Sequence, residues 1–483
     1  MKRLLLIVLS LLFLSIGVSQ NRVNVNNLVK YGDKYFKKND DRSYDGMVFD
    51  TSKETSNKIL EYKMLKGEKN GIYKEWYPNG AIKTKGKYLN GIEDRMWLFW
   101  YENGLKEKEG RYKDGVKDGL WFEWDLNGKI KEEVRYSIDN KIEETIYTYY
   151  ENGNKKSKEK WANGKRDGLF TYWDENGLKL KEGKYRNGLM EGKWEFLFFD
   201  KKVEKWRSLK GSFKSGDGGN RSKNSGVPRN GRNGLFTVFY SNGKKKSIKY
   251  YKDGTLDGKI KKYYENGQME SQTTFKDGIM VGKYESWFDD GNKELEYYYN
   301  DDGTRDPTKL TITWHANGQK SFEGYIKTIN DKNVRDGITK NYYENGQMEL
   351  QVTFKDGIMV GKYEFWFDDG TKNWEYYYND DGTRDSTKLT TRWYANGQKW
   401  YEAYIMTING EAKSRGEYTG WYENGNIQYK GNYLSNGKWE GKDFNWYEDG
   451  QKQSETTYKN GELISSKEWN KDGSVKERLN EKK

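Results

Sequence analysis

Short segments rich in Tyr, Trp and Phe alternate with charged stretches along the chain, and Asn-Gly or Asp-Gly doublets bound them. From Tyr101 to Trp124 one full unit reads Tyr101-Glu102-Asn103-Gly104, a charged stretch to Tyr112, Lys113-Asp114-Gly115, Asp118-Gly119, then Leu120-Trp121-Phe122-Glu123-Trp124. Aromatic-rich segments of five to eight residues suit strands. Asn-Gly and Asp-Gly are preferred centres of tight hairpin turns, because both residues tolerate positive φ. Each unit is therefore predicted as two strands and two turns. No helical periodicity competes, and glycine every few residues would penalise a helix.

The pattern repeats. The turn glycines fall at Gly80, Gly104, Gly128, Gly153 and Gly177, then at Gly243, Gly267 and Gly291, at Gly346 and Gly370, and at Gly425, Gly450 and Gly473, with steps of 23 to 25 residues inside each run. A fixed period of this size marks a solenoid or array. With about 4.8 Å between strands, two strands per unit predict roughly 10 Å of advance per repeat. The expected fold is all-β: an elongated array of antiparallel hairpins forming a single-layer twisted sheet. The three prolines, Pro78, Pro228 and Pro307, interrupt no proposed strand, as a continuous sheet requires.

Domain limits follow from composition. A lead-in at 20–43 precedes a first array at 44–200, and residues 201–234, rich in Gly, Ser and Asn, read as a flexible break. A second array spans 235–473, followed by a charged tail at 474–483 expected to cap the sheet edge. Within the second array, 263–330 and 342–409 are near copies offset by 79 residues, a duplication of three hairpins. Segments 300–310 and 379–389 lengthen one loop in each copy.

At these residues a resemblance becomes specific. The order Y-x-N-G-x-x-K, then Y-K-x-G-x-x-x-G-x-W, resembles the bacterial variant of the MORN repeat, and covers roughly Tyr44 to Gly473. It is clear in Tyr264-Glu265-Asn266-Gly267, Phe275-Lys276-Asp277-Gly278 and Gly282-Lys283-Tyr284. The resemblance implies hairpin arrays that attach to membrane lipid or protein, and many bacterial variants carry an antitoxin-like label.

Composition sharpens this picture. Apolar residues make up 34% of the chain, yet aromatics reach 16%, with 40 Tyr, 19 Trp and 19 Phe. The mean hydropathy is -1.16. Many rings and few aliphatics cannot fill a thick core, but they can cover a thin sheet by cross-strand packing. Lys2 and Arg3 precede an apolar run from Leu4 to Val18, with small residues at Gly17 and Ser19. This predicts a secretory signal peptide at 1–19, cleaved before Gln20, and hence export to the periplasm, the cell surface or the medium. The chain has no cysteine, so the leader is not that of a lipoprotein, and thiol catalysis, thiolate metal sites and disulfides are excluded. Cleavage would lower the formal net charge of +12 by two, leaving a mild basic bias towards anionic partners.

Candidate chemistry is sparse. The one histidine, His315, is matched by Tyr394 in the duplicate, which argues against catalysis there. Glu102, Glu151, Glu265, Glu344 and Glu423 recur before Asn-Gly, as turn positions rather than tuned acids. The loops Asn300–Asp306 and Asn379–Asp385 misplace the glycine of a calcium loop and add Arg305 or Arg384. Gly216-Asp217-Gly218-Gly219 lacks the context of a phosphate loop. No enzyme, metal or cofactor is expected. What recurs is a tryptophan closing each unit: Trp76, Trp100, Trp124, Trp173, Trp287, Trp366, Trp421 and Trp446. Packing is the default role of these rings, and an exposed subset with neighbouring Lys is the expected contact surface. The expected partner is another envelope or extracellular protein, with anionic lipid or glycan as the alternative, and no nucleic acid.

Overall fold

The computed structural model describes residues 21–476 apart from 201, 224 and 409. The signal-peptide segment and most of the charged tail lie outside the described residues. The chain divides into two compact units, one ending at Arg232 and the other beginning at Asn233. The fold is all-β, a repeat array of antiparallel hairpins. In each unit consecutive strands pair with their neighbours along the chain.

In the first unit, Lys106–Lys113 pairs with Val116–Trp124, which pairs with Ile130–Ser137, and the same order runs on to Leu189–Asp200. One pairing departs: Arg22–Asn24 lies parallel to Gly46–Thr51. Leu28–Tyr31 and Lys34–Lys37 form a small separate hairpin within the lead-in. In the second unit the ladder begins at Gly234–Phe239 and closes at Glu462–Glu468.

The two glycine doublets of a unit make different turns. At Asp114-Gly115 both residues have positive φ, 51° and 82°, the two-residue turn whose twist matches the strands. At Asn103-Gly104 only the glycine does, at 86°. There the Gly104 N–H donates to the Tyr101 carbonyl at 2.9 Å and the Tyr101 N–H to the Leu105 carbonyl at 2.8 Å. Both doublets make hairpin turns as expected, but only the Asp114-Gly115 type centres a two-residue turn with positive φ at both residues. At Tyr-x-Asn-Gly a longer loop, with a single left-handed residue, leaves the Asn side chain free for other work.

The core lies on one face of the sheet. Tyr73, Tyr88, Trp97 and Trp121 are buried, with the half-buried Tyr112 between the two tryptophans. Ring centres lie 5.1 Å apart for Tyr88 and Trp97, and 5.0 Å for Tyr112 and Trp121, both edge to face. Trp121 stands directly opposite Gly110, and its indole lies on that glycine, so that a Cβ there would meet the ring at 2.1 Å. Charged side chains roof these rings: Lys69 sits 4.7 to 5.1 Å from Tyr62, Tyr73 and Tyr88, and burial pushes its ammonium below the usual value.

The stretch 201–234, read from composition as a flexible break, holds the strand Lys205–Gly216, paired over most of its length with Leu189–Asp200. Arg207, Leu209, Gly211 and Phe213 alternate onto the buried face, and the Arg207 Nε donates to the buried Asp200 carboxylate at 2.9 Å. Alternation outweighs glycine content here.

Candidate functional site

The repeated tryptophans stand where each strand ends in a register shift, as at Phe99/Trp100 and Glu123/Trp124. Trp76, Trp100, Trp124, Trp173, Trp287, Trp366, Trp421 and Trp446 are all half-buried. Lysines lie over several of them: Lys58 over Trp76 at 4.9 Å, Lys106 over Trp124 at 5.4 Å and Lys399 over Trp421 at 5.6 Å. Their backbone matters as much as their rings. The Tyr77 hydroxyl donates to the Trp100 carbonyl, Tyr101 to Trp124, and Tyr150 to Trp173, each at 2.8 Å. In the second unit Tyr264, Tyr343, Tyr394 and Tyr422 do the same to Trp287, Trp366, Trp421 and Trp446.

The asparagine of Tyr-x-Asn-Gly adds a second bond in parallel. Asn103 Nδ2 donates to the Leu126 carbonyl at 3.0 Å, Asn152 to Glu175 at 2.8 Å and Asn266 to Asp289 at 2.6 Å. Tyr and Asn of one turn thus staple the turn of the next repeat. His315 occupies the tyrosine position, and its Nε2 lies 2.8 Å from the Tyr342 carbonyl, the bond that Tyr394 makes to Trp421 in the duplicate. Glu102, Glu151, Glu265, Glu344 and Glu423 are exposed at these turns, and the last three serve as carbonyl acceptors for Asn242, Asn317 and Asn396.

The Asp-rich loops fold onto themselves. Asp302 accepts from the Thr304 N–H and hydroxyl, and Asp381 from those of Thr383, which holds both carboxyls below the usual range. Among the described residues no group of three or more His, Asp or Glu side chains is placed to hold a metal ion.

On the face opposite the ring core, several aliphatics that directly precede a core aromatic point to solvent. In the first unit these are Ile72, Met96, Leu120 and Leu169, with exposures of 58%, 53%, 44% and 42%. Each lies directly across from a basic residue, and that residue from an acidic one on the next strand. The rows read Ile72, Lys87, Asp94; Met96, Arg111, Asp118; Leu120, Arg135, Glu143; and Leu169, Lys184, Glu191. In the second unit Leu235 and Ile338 keep the aliphatic position, whereas Lys259, Lys283, Lys362 and Lys442 replace it. Sequence reasoning missed these rows, because an isolated aliphatic beside a large aromatic reads as core.

The MORN repeat variant family matches residues 69–90, 117–137, 232–253, 256–277, 335–356, 415–434 and 439–460. Each match spans a strand, the turn after it and the next strand. No curated protein matches the chain. Among solved structures it is similar to a TcdB2-TccC3-Cdc42 crystal structure, at 9% identity and a TM-score of 0.16, covering 88% of this chain and 27% of that one. A TcdB2-TccC3-TEV structure matches at 9% identity and a TM-score of 0.14, covering 90% and 27%. The chain thus spans under a third of the chains it matches. With seven matches laid along the hairpins, whose recurrent Tyr-x-Asn-Gly supplies the staples between repeats, this chain belongs to the MORN repeat variant family.

Proposed function

We propose that the chain is an exported, non-enzymatic repeat scaffold that binds another protein through the exposed face of its first unit. The observation that carries this reading is the aliphatic row Ile72, Met96, Leu120 and Leu169. Exposed aliphatics that recur at equivalent positions on alternate strands of one face, each beside a basic residue, form a repeated mixed surface, which marks an interaction surface where scattered ones would not. The basic residue beside each is offset by a carboxylate on the next strand. The surface is therefore apolar with balanced charge, which suits a protein partner better than an anionic lipid or glycan, whose capture needs uncompensated cations. The half-buried tryptophan row flanks it as rim. Export rests on the leader sequence at residues 1–19.

A photo-crosslinking residue at Leu120, in the chain expressed with its leader in its own host, tests both parts. The expected result is a single crosslinked protein outside the cytoplasm, lost in a Met96→Glu variant that still folds. Salt-sensitive sedimentation with anionic vesicles and no protein crosslink would overturn the reading in favour of lipid attachment.

A further inference from the structure

The two near copies in the second unit differ at one place that matters chemically. From each copy a cross-strand row runs on past the copy's end; from the first it is Leu295, Thr313 and Phe322, then Asn341 beyond the copy and Leu350 on the following strand. From the second it is Trp374, Arg392 and Tyr401, then Gly420 and Tyr429. Gly420 lets the Tyr429 ring lie on the backbone, since a Cβ there would meet it at 2.2 Å. Beside the row, Ser321 of the first copy becomes Trp400 of the second. Where the Thr313 and Ser321 hydroxyls bond each other at 2.6 Å, the Arg392 guanidinium instead sits 4.1 Å from the Trp400 ring centre and 4.3 Å from that of Trp374.

These changes open a cavity of about 390 Å³, lined by Trp374, Arg384, Arg392, Trp400, Tyr401 and Tyr429 among others. No Asp or Glu lines it. Three of its lining residues carry a buried donor that lacks an acceptor: Trp374 Nε1, Arg384 Nη1 and Arg392 Nε. The first copy again supplies the contrast, because Arg305, the equivalent of Arg384, donates to the Thr311 hydroxyl. Stacked rings attract a guanidinium through its face, yet they satisfy none of its N–H groups, which lie in its plane. Burial also pushes the Arg392 guanidinium below its usual value. A buried donor without an acceptor is costly, and three of them on residues that line one cavity favour an occupant rich in acceptors.

We propose that this cavity binds an organic oxyanion, a carboxylate or phosphate group on a flat apolar body. The oxyanion takes the N–H edges of Arg384 and Arg392 together with the Trp374 indole N–H, as paired arginines bind such groups. The body packs against Trp400, Tyr401 and Tyr429. This site is independent of the aliphatic surface, which belongs to the first unit.

Calorimetric titration of the whole chain with benzoate, phenyl phosphate and inorganic phosphate tests it. Benzoate or phenyl phosphate should bind, and inorganic phosphate should bind at least about tenfold more weakly, because it lacks the ring. A preference for phenyl phosphate over benzoate points to a phosphate-bearing natural ligand, and the reverse to a carboxylate. Arg392→Thr, which installs the residue of the sister copy, should weaken binding about tenfold or more, the loss expected of a hydrogen bond to a charged group. Should Arg392→Thr fail to fold, the variant carrying Trp374→Leu, Arg392→Thr, Trp400→Ser and Tyr429→Leu, four residues found at the equivalent positions 79 residues earlier, serves in its place. The proposal falls if neither ring-bearing probe binds at 10 mM, roughly the weakest affinity of interest, or if the variant binds as tightly as the parent.

Discussion

A glycine and an indole fix the spacing of three hairpins in the first unit. Trp97, Trp121 and Trp194 lie on Gly86, Gly110 and Gly183, where a Cβ would stand 2.2 Å or less from ring atoms. Replacing Gly110 by Ala is therefore expected to destabilise the first unit by about 1–3 kcal/mol through forced displacement of Trp121, read as a lower denaturation midpoint. The staples are weaker singly. Tyr101→Phe deletes the hydroxyl that bonds the Trp124 carbonyl, and about 0.5–1.5 kcal/mol should be lost. His315→Tyr, by contrast, restores the usual donor and should leave the midpoint unchanged or higher. The sequence showed that tyrosine and asparagine recur before glycine. That they reach a carbonyl 23 residues ahead was not legible, because strand twist decides which groups of neighbouring turns meet.

At the scale of paired strands, charge is arranged as closed groups. Lys283 and Lys293 both bridge Glu285 and Glu296, and in the duplicate Lys362 and Lys372 both bridge Glu364 and Glu375. Burial raises the Glu285 pKa, but bonds from Lys283, Gln272 and Lys293 outweigh it and hold the carboxyl down at about 2. Since the folded value lies below the ordinary 4.5, this contribution is fully present above about pH 4.5 and is lost as the pH falls towards 2. Denaturant titrations across that window should show the second unit weakening, with a shallower pH dependence in Glu285→Gln. Hairpin boundaries were largely legible from the doublets. Lys205–Gly216 was not, because its glycines and serines obscured the alternation at Arg207, Leu209 and Phe213. The tryptophans were legible as a repeat but not by role. Trp97 and Trp121 are buried, while Trp100 and Trp124, at most three residues on, are half-exposed across a register shift.

Across the whole molecule the two units have diverged while keeping one ladder rule. The first has aliphatics at four outer-face positions and a lysine, Lys193, at a fifth, whereas the second has lysines at four, Lys259, Lys283, Lys362 and Lys442. A crosslinker at Lys283 or Lys362 should accordingly fail to capture the protein that Leu120 captures. The cavity of the second unit was in principle legible, because Leu295/Trp374, Thr313/Arg392 and Ser321/Trp400 are visible as differences between the copies, and Leu350/Tyr429 at the same offset beyond the first. What the sequence lacked was the register that puts all four changes side by side.

The staples have one more consequence, which concerns how such a chain changes over generations. They run 23 or 24 residues ahead in most repeats, yet His315 and Tyr394 reach 27 residues ahead and still find their carbonyls. The additional residues, like the loops at 300–309 and 379–388, enter at the margin away from the Tyr-x-Asn-Gly turns. In the second unit growth in length is thus one-sided. One margin keeps count of the repeats, and the other is free to gain or lose residues and so to acquire new specificities without disturbing the count.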